Sequence, residues 1–207
     1  MRFTPPTPRR RTYAPDATRQ AILDSALALF EVNGFHATSV QAIVDEADVT
    51  KGAFYHHFDS KDELVRIIHG ELLDHLAAEL RRIVESGEGP EDQLRAVIRA
   101  IVHTTVRCRS HVAVYYQERR HGEDRRFDSV RRKREAVLEQ MAAIVHAGVE
   151  EGTFRDDVDA FATHGIDSIA AWAHQWLYPS SGAEPEHVAD LIADMVLGGL
   201  TLADHRR

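Results

Sequence analysis

Residues 38–64 constrain the fold more than any other part of the chain, because they predict two short helices joined at a tight corner. Thr38 and Gln41 match a capping box, in which a hydroxyl and a glutamine three residues later satisfy the first N–H groups of a helix. Apolar residues then recur at the spacing of one helical face: Val40, Ile43, Val44 and Ala47. Asp48 and Val49 interrupt that face, and Val49 is predicted to fill the corner.

The second short helix is predicted from Thr50 or Lys51 to Phe58. Another capping box, Ser60 with Glu63, begins the helix that follows. Helix, corner and helix in this order form a helix–turn–helix, whose second helix enters the major groove of DNA. An ordinary corner in a helical bundle has the same pattern, so that alternative stays open.

The polar face of the second helix favours a surface for nucleic acid. Ala53, Phe54 and Phe58 are predicted to face the core. The residues left outside include several hydrogen-bond donors and no carboxylate: Thr50, Lys51, Gly52, Tyr55, His56 and His57. Such a face suits phosphate oxygens and base edges. A glycine in a short helix is unfavourable by roughly 1 kcal/mol, which indicates that another backbone approaches closely at Gly52.

The run from Thr18 to Leu64 resembles the TetR/AcrR family of bacterial repressors. The family pattern Tyr-x-His-Phe-x-x-Lys-x-x-Leu is met in full by Tyr55, His57, Phe58, Lys61 and Leu64. The resemblance implies an all-helical homodimer with N-terminal DNA-binding heads and a variable C-terminal ligand domain. It also implies phosphate contacts from Tyr55, Lys61, Thr38 and the N–H groups that begin the first short helix. The residues predicted to contact DNA in this segment are Thr38, Ser39, Thr50, Lys51, Gly52, Tyr55, His56 and Lys61.

The net charge of −8 by itself argues against nucleic-acid binding, but the charges are unevenly distributed along the chain. The first twenty residues contain five arginines and a single acidic residue, Asp16. Residues 1–17 are therefore predicted to be a basic arm, with Arg10 and Arg11 lying along phosphates or reaching into a minor groove. A solvated tail without DNA contact is the alternative, since this arm is rich in proline.

The rest of the chain also shows helical periodicity, and no segment has the pattern of a strand. Nine helices are predicted in an all-α fold, and those outside the helix–turn–helix cover about 18–33, 61–86, 91–107, 111–119, 129–151, 158–177 and 185–203. The expected domains are the arm, a DNA-binding domain over 18–60 and a ligand-binding and dimerisation domain over 61–207. The helix from Lys61 joins the last two, so any signal between them is expected to pass through it.

The last two helices combine apolar stripes with small residues that permit close helix approach. The stripes are Ile166, Ile169, Ala170, Ala173 and Leu177 on one helix, and Val188, Leu191, Ile192, Met195, Val196, Gly199 and Leu200 on the other. In the family that the chain resembles, these helices pair with their twofold mates, which implies a homodimer. Closure of the monomer core is the alternative.

The body between head and C-terminus is expected to hold a pocket for a small-molecule effector. Candidate lining residues are His103, Val112, Tyr115, Tyr116, Phe127, Met141, Phe161, Trp172 and Trp176. Each of them also suits an ordinary helical core. Trp172 and Trp176 are one turn apart and share a face, which makes them the strongest of these candidates.

A finer resemblance involves Tyr115-Tyr116-Gln117-Glu118, Gly148-x-x-x-Gly152-x-Phe154 and Trp172-x-x-x-Trp176. These segments are similar to TetR-type regulators of fatty-acid and steroid catabolism, which implies an acyl-CoA effector. The basic run Arg125, Arg126, Arg131, Arg132, Lys133 and Arg134 is then expected to meet CoA phosphates. A solvated helix face is the alternative for this run.

Other classes of function find no support in the sequence. The thirteen histidines show no metal-binding spacing, and no phosphate loop or nucleophile motif is present, so neither a metal, a cofactor nor an enzymatic activity is predicted. The single cysteine, Cys108, suits a reducing cytoplasm, and no apolar stretch is long enough to span a membrane. The rival hypothesis is an all-helical ligand-binding or catalytic bundle without DNA binding.

Overall fold

A computed structural model of the chain describes residues 15–118, 128–159, 161–175, 177 and 182–201. These residues form nine α-helices, a short 3₁₀ turn and one isolated β-bridge, which confirms the predicted all-α fold. The helices are α1 (Pro15–Asn33), α2 (Val40–Glu46), α3 (Lys51–His57), α4 (Lys61–Val84), α5 (Pro90–Arg107), α6 (Arg109–Glu118), α7 (Asp128–Glu150), α8 (Phe161–Trp172) and α9 (Pro185–Leu200). None of these helices is both long and apolar enough to cross a membrane.

The helices α1, α2 and α3 and the first two turns of α4 enclose one hydrophobic cluster, the head core. Its buried members are Ile22, Leu23, Ala26, Phe30, Phe35, Ile43, Val44, Phe54, Phe58, Leu64, Val65, Ile68 and Val114. Gly34 ends α1 with a φ of 80°, a conformation that glycine adopts without steric penalty. The chain can therefore fold back, and the rings of Phe30 and Phe35 meet edge to face with centroids 5.4 Å apart.

Hydroxyl side chains begin the three helices that follow α1. Ser39, Thr50 and Ser60 cap α2, α3 and α4, each accepting a hydrogen bond of 3.0–3.3 Å from the N–H group three residues later. The predicted starts of α3 and α4 are confirmed. The predicted box of Thr38 with Gln41 is wrong, because Thr38 lies one residue before the cap and the Gln41 amide bonds within α2 instead.

The corner between α2 and α3 is built by Asp48 and Val49. Asp48 has a φ of 51°, which reverses the chain direction after α2. The Val49 N–H group donates to the Val44 carbonyl at 3.0 Å, and its side chain packs against the head core. Val49 therefore fills the corner, as predicted.

A second cluster, the body core, joins the C-terminal half of α4 to α5, α7, α8 and α9. Two ion pairs on its surface fasten α5 to α9: Arg95 with Asp194 at 2.7 Å, and Arg99 with Asp190 at 2.6 Å. The side chain of Phe154 packs directly on Gly148 of α7, where any added Cβ would overlap its ring. This close approach explains why the first residue of the Gly148-x-x-x-Gly152-x-Phe154 segment is a glycine.

The last two helices are shorter than predicted. α8 begins at Phe161, ends at Trp172 and continues as a 3₁₀ turn, Ala173–Gln175. α9 ends at Leu200, since Thr201 adopts an extended conformation and bridges to Phe154.

Candidate DNA-binding surface and effector cavity

The face of α3 that points away from the head core carries the side chains predicted to contact DNA. Thr50, Lys51, Gly52, Tyr55 and His56 are all exposed, and α3 contains no acidic residue. The opposite face is fixed by deeply buried aromatic rings, which hold the short helix at a defined angle to α1 and α4. The result is a rigid ridge with hydrogen-bond donors and no negative charge of its own.

Gly52 lies on this ridge with open space around it. A Cβ added at this position would meet only the Thr50 Oγ1 atom, at an ordinary 3.7 Å. The fold of this chain therefore does not require a glycine at Gly52. A group that approaches Gly52 closely would therefore belong to a molecule other than this chain.

Two of the predicted DNA contacts have internal partners. Thr38 is buried, and its hydroxyl donates to the Gly34 carbonyl at 2.8 Å and to the Leu29 carbonyl at 3.3 Å. The ammonium group of Lys61 donates to the carbonyls of Phe35 and Thr38 at 2.6 and 2.7 Å, and it lies 4.1 Å from the centre of the Phe35 ring. Both residues hold the turn between α1 and α2 against the start of α4.

This role of Lys61 was not predicted from the sequence. Its partners are backbone carbonyls more than twenty residues earlier in the chain, and carbonyls leave no side-chain signal. Ser39, by contrast, is exposed as well as capping α2, so it lies at the surface. Arg10 and Arg11 lie outside the described residues.

The head contacts the body through α6 as well as through α4. Val114 of α6 is a member of the head core, and Ser110 donates to the Glu31 carboxylate of α1 at 2.5 Å. The connection between head and body is therefore not confined to α4, and the expectation that a signal passes through α4 stays a prediction. No pattern in the sequence of α6 indicated this second connection, because the contact joins distant segments.

Two histidines lie at this junction. Burial lowers the pKa of His69 on α4 from 6.5 to about 4, against the opposing effect of a backbone hydrogen bond with Val114. Burial also lowers the pKa of His111 on α6, although Glu71 and Asp24 act in the opposite direction. Burial therefore favours the neutral form of both imidazoles, and His69 is packed between α4 and α6 as an uncharged group at pH 7.

A cavity of about 50 Å³ lies between α4, α5, α6, α7 and α8. Its wall consists of Leu72, Leu73, Leu76, Ile101, Thr104, Thr105, Val112, Arg134, Val137, Leu138, Asp167 and Ala171. Small-molecule pockets usually have volumes of roughly 300–1,000 Å³. A ligand of ordinary size therefore requires this cavity to expand.

Among the described residues, Val112 is the only predicted ligand contact that lines the cavity wall. Met141 is fully buried in the body core, His103 is partly buried elsewhere, and Phe161 and Trp172 are exposed on the outer side of α8. The side chains of Tyr115 and Tyr116, and the residues Phe127 and Trp176, lie outside the described part of the chain. The wall residues that the sequence did not single out come from four helices, so no local pattern unites them.

The basic run divides into two kinds of residue. Arg131 and Lys133 pair on the outer surface, with Asp128 at 2.8 Å and Asp74 at 2.5 Å respectively. Arg134 instead lies on the cavity wall, where it pairs with Asp167 at 3.2 Å. Arg125 and Arg126 lie outside the described residues. Among the residues described, no three histidine, cysteine or acidic side chains gather as they would around a metal ion.

The apolar stripes of α8 and α9 each have two parts. One part closes the body core and includes Ile166, Ala170, Val188 and Ile192. The other part faces solvent in the single chain and includes Phe161, Ile169, Trp172, Leu191 and Met195. Exposed large apolar side chains of this kind are a common feature of protein–protein contacts.

Two family models match the chain over the parts that carry these features. One is described as bacterial regulatory proteins of the tetR family and matches residues 22–68. The other is described as a tetracyclin repressor-like C-terminal domain and matches residues 87–200, which is more than half of the chain. The chain belongs to the TetR family.

Individual members of the family agree with this TetR protein along most of its length. It is 33% identical to the HTH-type transcriptional repressor KstR2 of Rhodococcus jostii strain RHA1, over 96% of this chain and 98% of that protein. The ketosteroid transcriptional regulator KstR2 of Mycobacterium tuberculosis has a similar structure, with a TM-score of 0.80, 30% identity, and coverage of 89% of this chain and 95% of that one.

A third likeness concerns the fold alone. The structure of AibR in complex with isovaleryl coenzyme A and operator DNA matches with a TM-score of 0.75 and 22% identity, over 86% of this chain and 97% of that one. These comparisons confirm the predicted helix–turn–helix transcriptional repressor of the TetR family, whose relatives are repressors rather than enzymes.

Proposed function

We propose that this TetR-family chain acts in the cytoplasm as a homodimer that binds a near-palindromic DNA duplex and releases it when an apolar effector enters the body. The observation that carries the proposal is the exposed face of α3, which has donors, no carboxylate and a rigid aromatic support. A helix in a generic solvated position would more often alternate acidic and basic residues.

The proposed DNA contacts are supported by the exposure of each residue. Thr50, Lys51, Gly52, Tyr55 and His56 enter the major groove, with Lys51 and Tyr55 nearest the phosphates. The open space at Gly52 lets the DNA backbone approach α3 closely. Ser39 contacts the backbone from the start of α2, and the arm with Arg10 and Arg11 lies along the adjacent groove. Thr38 and Lys61 serve mainly as positioning residues for this surface.

The proposed dimer forms through the exposed faces of α8 and α9. Pairing of two such faces about a twofold axis buries large apolar side chains such as Phe161, Trp172 and Met195. Twofold symmetry also presents two α3 helices to successive major grooves about 34–36 Å apart, which a single chain cannot do. In this proposal Trp172 is a residue of the dimer contact and not a residue of the ligand site.

The proposed release mechanism rests on the position of the cavity. Leu72 and Leu73 line it on α4, and Val112 lines it on α6; both helices also contribute to the head core. An effector that expands the cavity moves both helices and changes the separation of the two heads. If the effector binds the DNA-incompetent state about 100-fold more tightly, it supplies roughly 2.7 kcal/mol toward release.

The proposed effector is an apolar acyl-CoA. The wall of the cavity is mainly apolar, which suits a hydrocarbon or alicyclic acyl group. Two names among the similar proteins support this class: a ketosteroid regulator, and a regulator solved with isovaleryl coenzyme A. The basic run on α7 is proposed to meet the CoA phosphates, with exposed Arg132 the best placed of its described members.

The test is selection of bound duplexes from fragmented genomic DNA of the source organism, followed by a salt titration on the enriched sequence. We expect a near-palindrome and a steep fall of affinity with salt. Lys51→Ala should reduce the slope of log affinity against log salt by about 0.9. Arg82→Ala, which removes an exposed cation at the far end of α4, is the matched control and should leave the slope unchanged.

The same experiment separates the proposal from its rival. An all-helical ligand-binding or catalytic bundle without DNA binding would enrich no duplex and would show no salt-sensitive affinity, although folded and dimeric. Equal slopes for Lys51→Ala and the wild-type chain would place the DNA surface elsewhere than on α3.

A further inference from the structure

The cavity wall contains one ion pair in an otherwise largely apolar surface. Arg134 of α7 and Asp167 of α8 face each other across the wall, and their side chains retain only 24% and 13% of their exposure. Within the described part of the chain, Thr104 and Thr105 of α5 are the only other polar residues that line it. A charged pair in such a place restricts what a ligand can be, because a ligand group that takes one member as its partner must bind it more strongly than the other member does.

This pair is the loosest of the ion pairs that join two helices in the described part of the chain. Arg134 Nη2 lies 3.2 Å from Asp167 Oδ2, whereas Arg95, Arg99 and Lys133 approach their partners to 2.5–2.7 Å. Charge-assisted hydrogen bonds are usually about 2.7–2.9 Å long. A guanidinium group also has five N–H donors in a planar fork, so it can hold a second acceptor more tightly than it holds Asp167.

We propose that Arg134 anchors an anionic oxygen group of the effector, which replaces Asp167 as its partner. The ligand class is an apolar body with a carboxylate, or with a phosphate of an attached CoA. This inference rests on the proposed function, in which the cavity is the effector site.

The exchange of partners has a structural consequence. The Arg134–Asp167 pair ties α7 to α8, and α8 carries part of the exposed apolar face proposed to form the dimer. When the ligand takes Arg134, Asp167 is released and α8 loses one of its links to α7. The ligand thereby acts on the dimer contact at the same time as it expands the cavity against α4 and α6.

The test measures ligand binding by calorimetry on the full chain without DNA. The probes are octanoate, cyclohexanebutanoate, methyl octanoate as the uncharged counterpart, and octanoyl-CoA. Arg134→Met should weaken binding of the anionic probes about 10- to 100-fold, because a hydrogen bond to a charged group is lost. Asp167→Asn should strengthen it, since the competing carboxylate is removed. Arg155→Met removes an exposed, ion-paired arginine that lies outside the basic run and away from the cavity wall, and it should change nothing.

Opposite responses of the two variants distinguish a ligand anchor from a structural ion pair. If both acids bind more weakly to Arg134→Met and more strongly to Asp167→Asn, while the ester does not bind, the anionic group is a carboxylate. If only octanoyl-CoA shows these two changes, the anionic group is a phosphate of CoA. Equal weakening by both variants, no change in either, or no binding of any anionic probe up to millimolar concentration would overturn the proposal. Urea unfolding of each variant shows whether it is folded.

The proposal can fail separately from the proposed function. A chain that selects a duplex but binds no probe contradicts only the role of Arg134. A chain that binds octanoate through Arg134 but selects no duplex contradicts the function as a DNA-binding regulator and leaves the ligand site in place.

Discussion

Acidification should destabilise this TetR protein through His69, which is buried between α4 and α6. Only 3% of the residue is exposed, and burial lowers its pKa from 6.5 to about 4. The unfolded chain binds a proton at His69 below about pH 6.5, whereas the folded chain does so only below about pH 4. The free energy of unfolding therefore falls as the pH is lowered through this window.

The size of the loss follows from these two pKa values. Between about pH 7.5 and about pH 5, linkage gives a contribution of roughly 2 kcal/mol from His69, and roughly 3 kcal/mol once the pH is below both values. Domains are typically stable by only about 5–15 kcal/mol. The lowered pKa of His111 acts in the same direction, so the loss in the wild-type chain should exceed the contribution of His69 alone.

The assay is urea unfolding followed by circular dichroism at the two pH values, at one protein concentration because dimer stability depends on it. In His69→Gln the loss of stability between the two pH values should be smaller than in the wild type by about 2 kcal/mol. His146→Gln removes a histidine whose side chain is 73% exposed and should retain the wild-type loss. A His69→Gln chain with the full wild-type loss would refute the argument that burial of this imidazole sets the response to pH.

Three further substitutions test other parts of the structure. Met195→Glu places a charge in the proposed dimer contact and should weaken dimerisation by about 3 kcal/mol in sedimentation equilibrium; Val32→Glu, at an equally exposed apolar residue of the head, should leave the dimer unchanged. Gly148→Ala forces a Cβ against the Phe154 ring and should reduce stability by about 1–3 kcal/mol in urea unfolding, so an unchanged midpoint would show that the ring moves aside. Lys61→Met leaves two carbonyls without their ammonium donor and should destabilise the chain by about 1–3 kcal/mol; hydrogen exchange that stays as slow as wild type in the turn before α2 would contradict this.

The head could be predicted from sequence because its determinants are local. Capping hydroxyls, a corner residue and aromatic spacing all act within a few residues, and the structure agrees at Thr50, Ser60, Val49 and Phe54. The error at α2 has a local cause too, because Thr38 and Ser39 are adjacent hydroxyl residues and either can cap a helix. The turn after Gly34 decides between the two residues, because it buries Thr38 and leaves Ser39 at the surface.

The effector cavity could not be predicted in this way. Its wall takes one to three residues from each of five helices, and most of them are ordinary apolar residues that suit any helical core. Aromatic side chains were favoured as ligand contacts because they often line pockets, yet Phe161 and Trp172 face outward. Arg134 was recognised only as part of a basic run, because the partner that sets it apart, Asp167, is more than thirty residues away.

The position of the cavity, more than its volume, makes this fold suited to a switch. Protein interiors are close-packed, so a ligand much larger than about 50 Å³ cannot enter without moving the helices that surround it. Two of those helices also contribute to the head core: α4 contributes Leu72 to the wall and Ile68, one turn earlier, to the head core, while α6 contributes Val112 and Val114. Movement of either helix alone would strain the contact between them at His69. Under the proposed mechanism, movement of both together keeps that contact packed and transfers the displacement to the whole head. The neutral contact at His69 would then let a local expansion change the separation of the two DNA-binding surfaces of the proposed dimer.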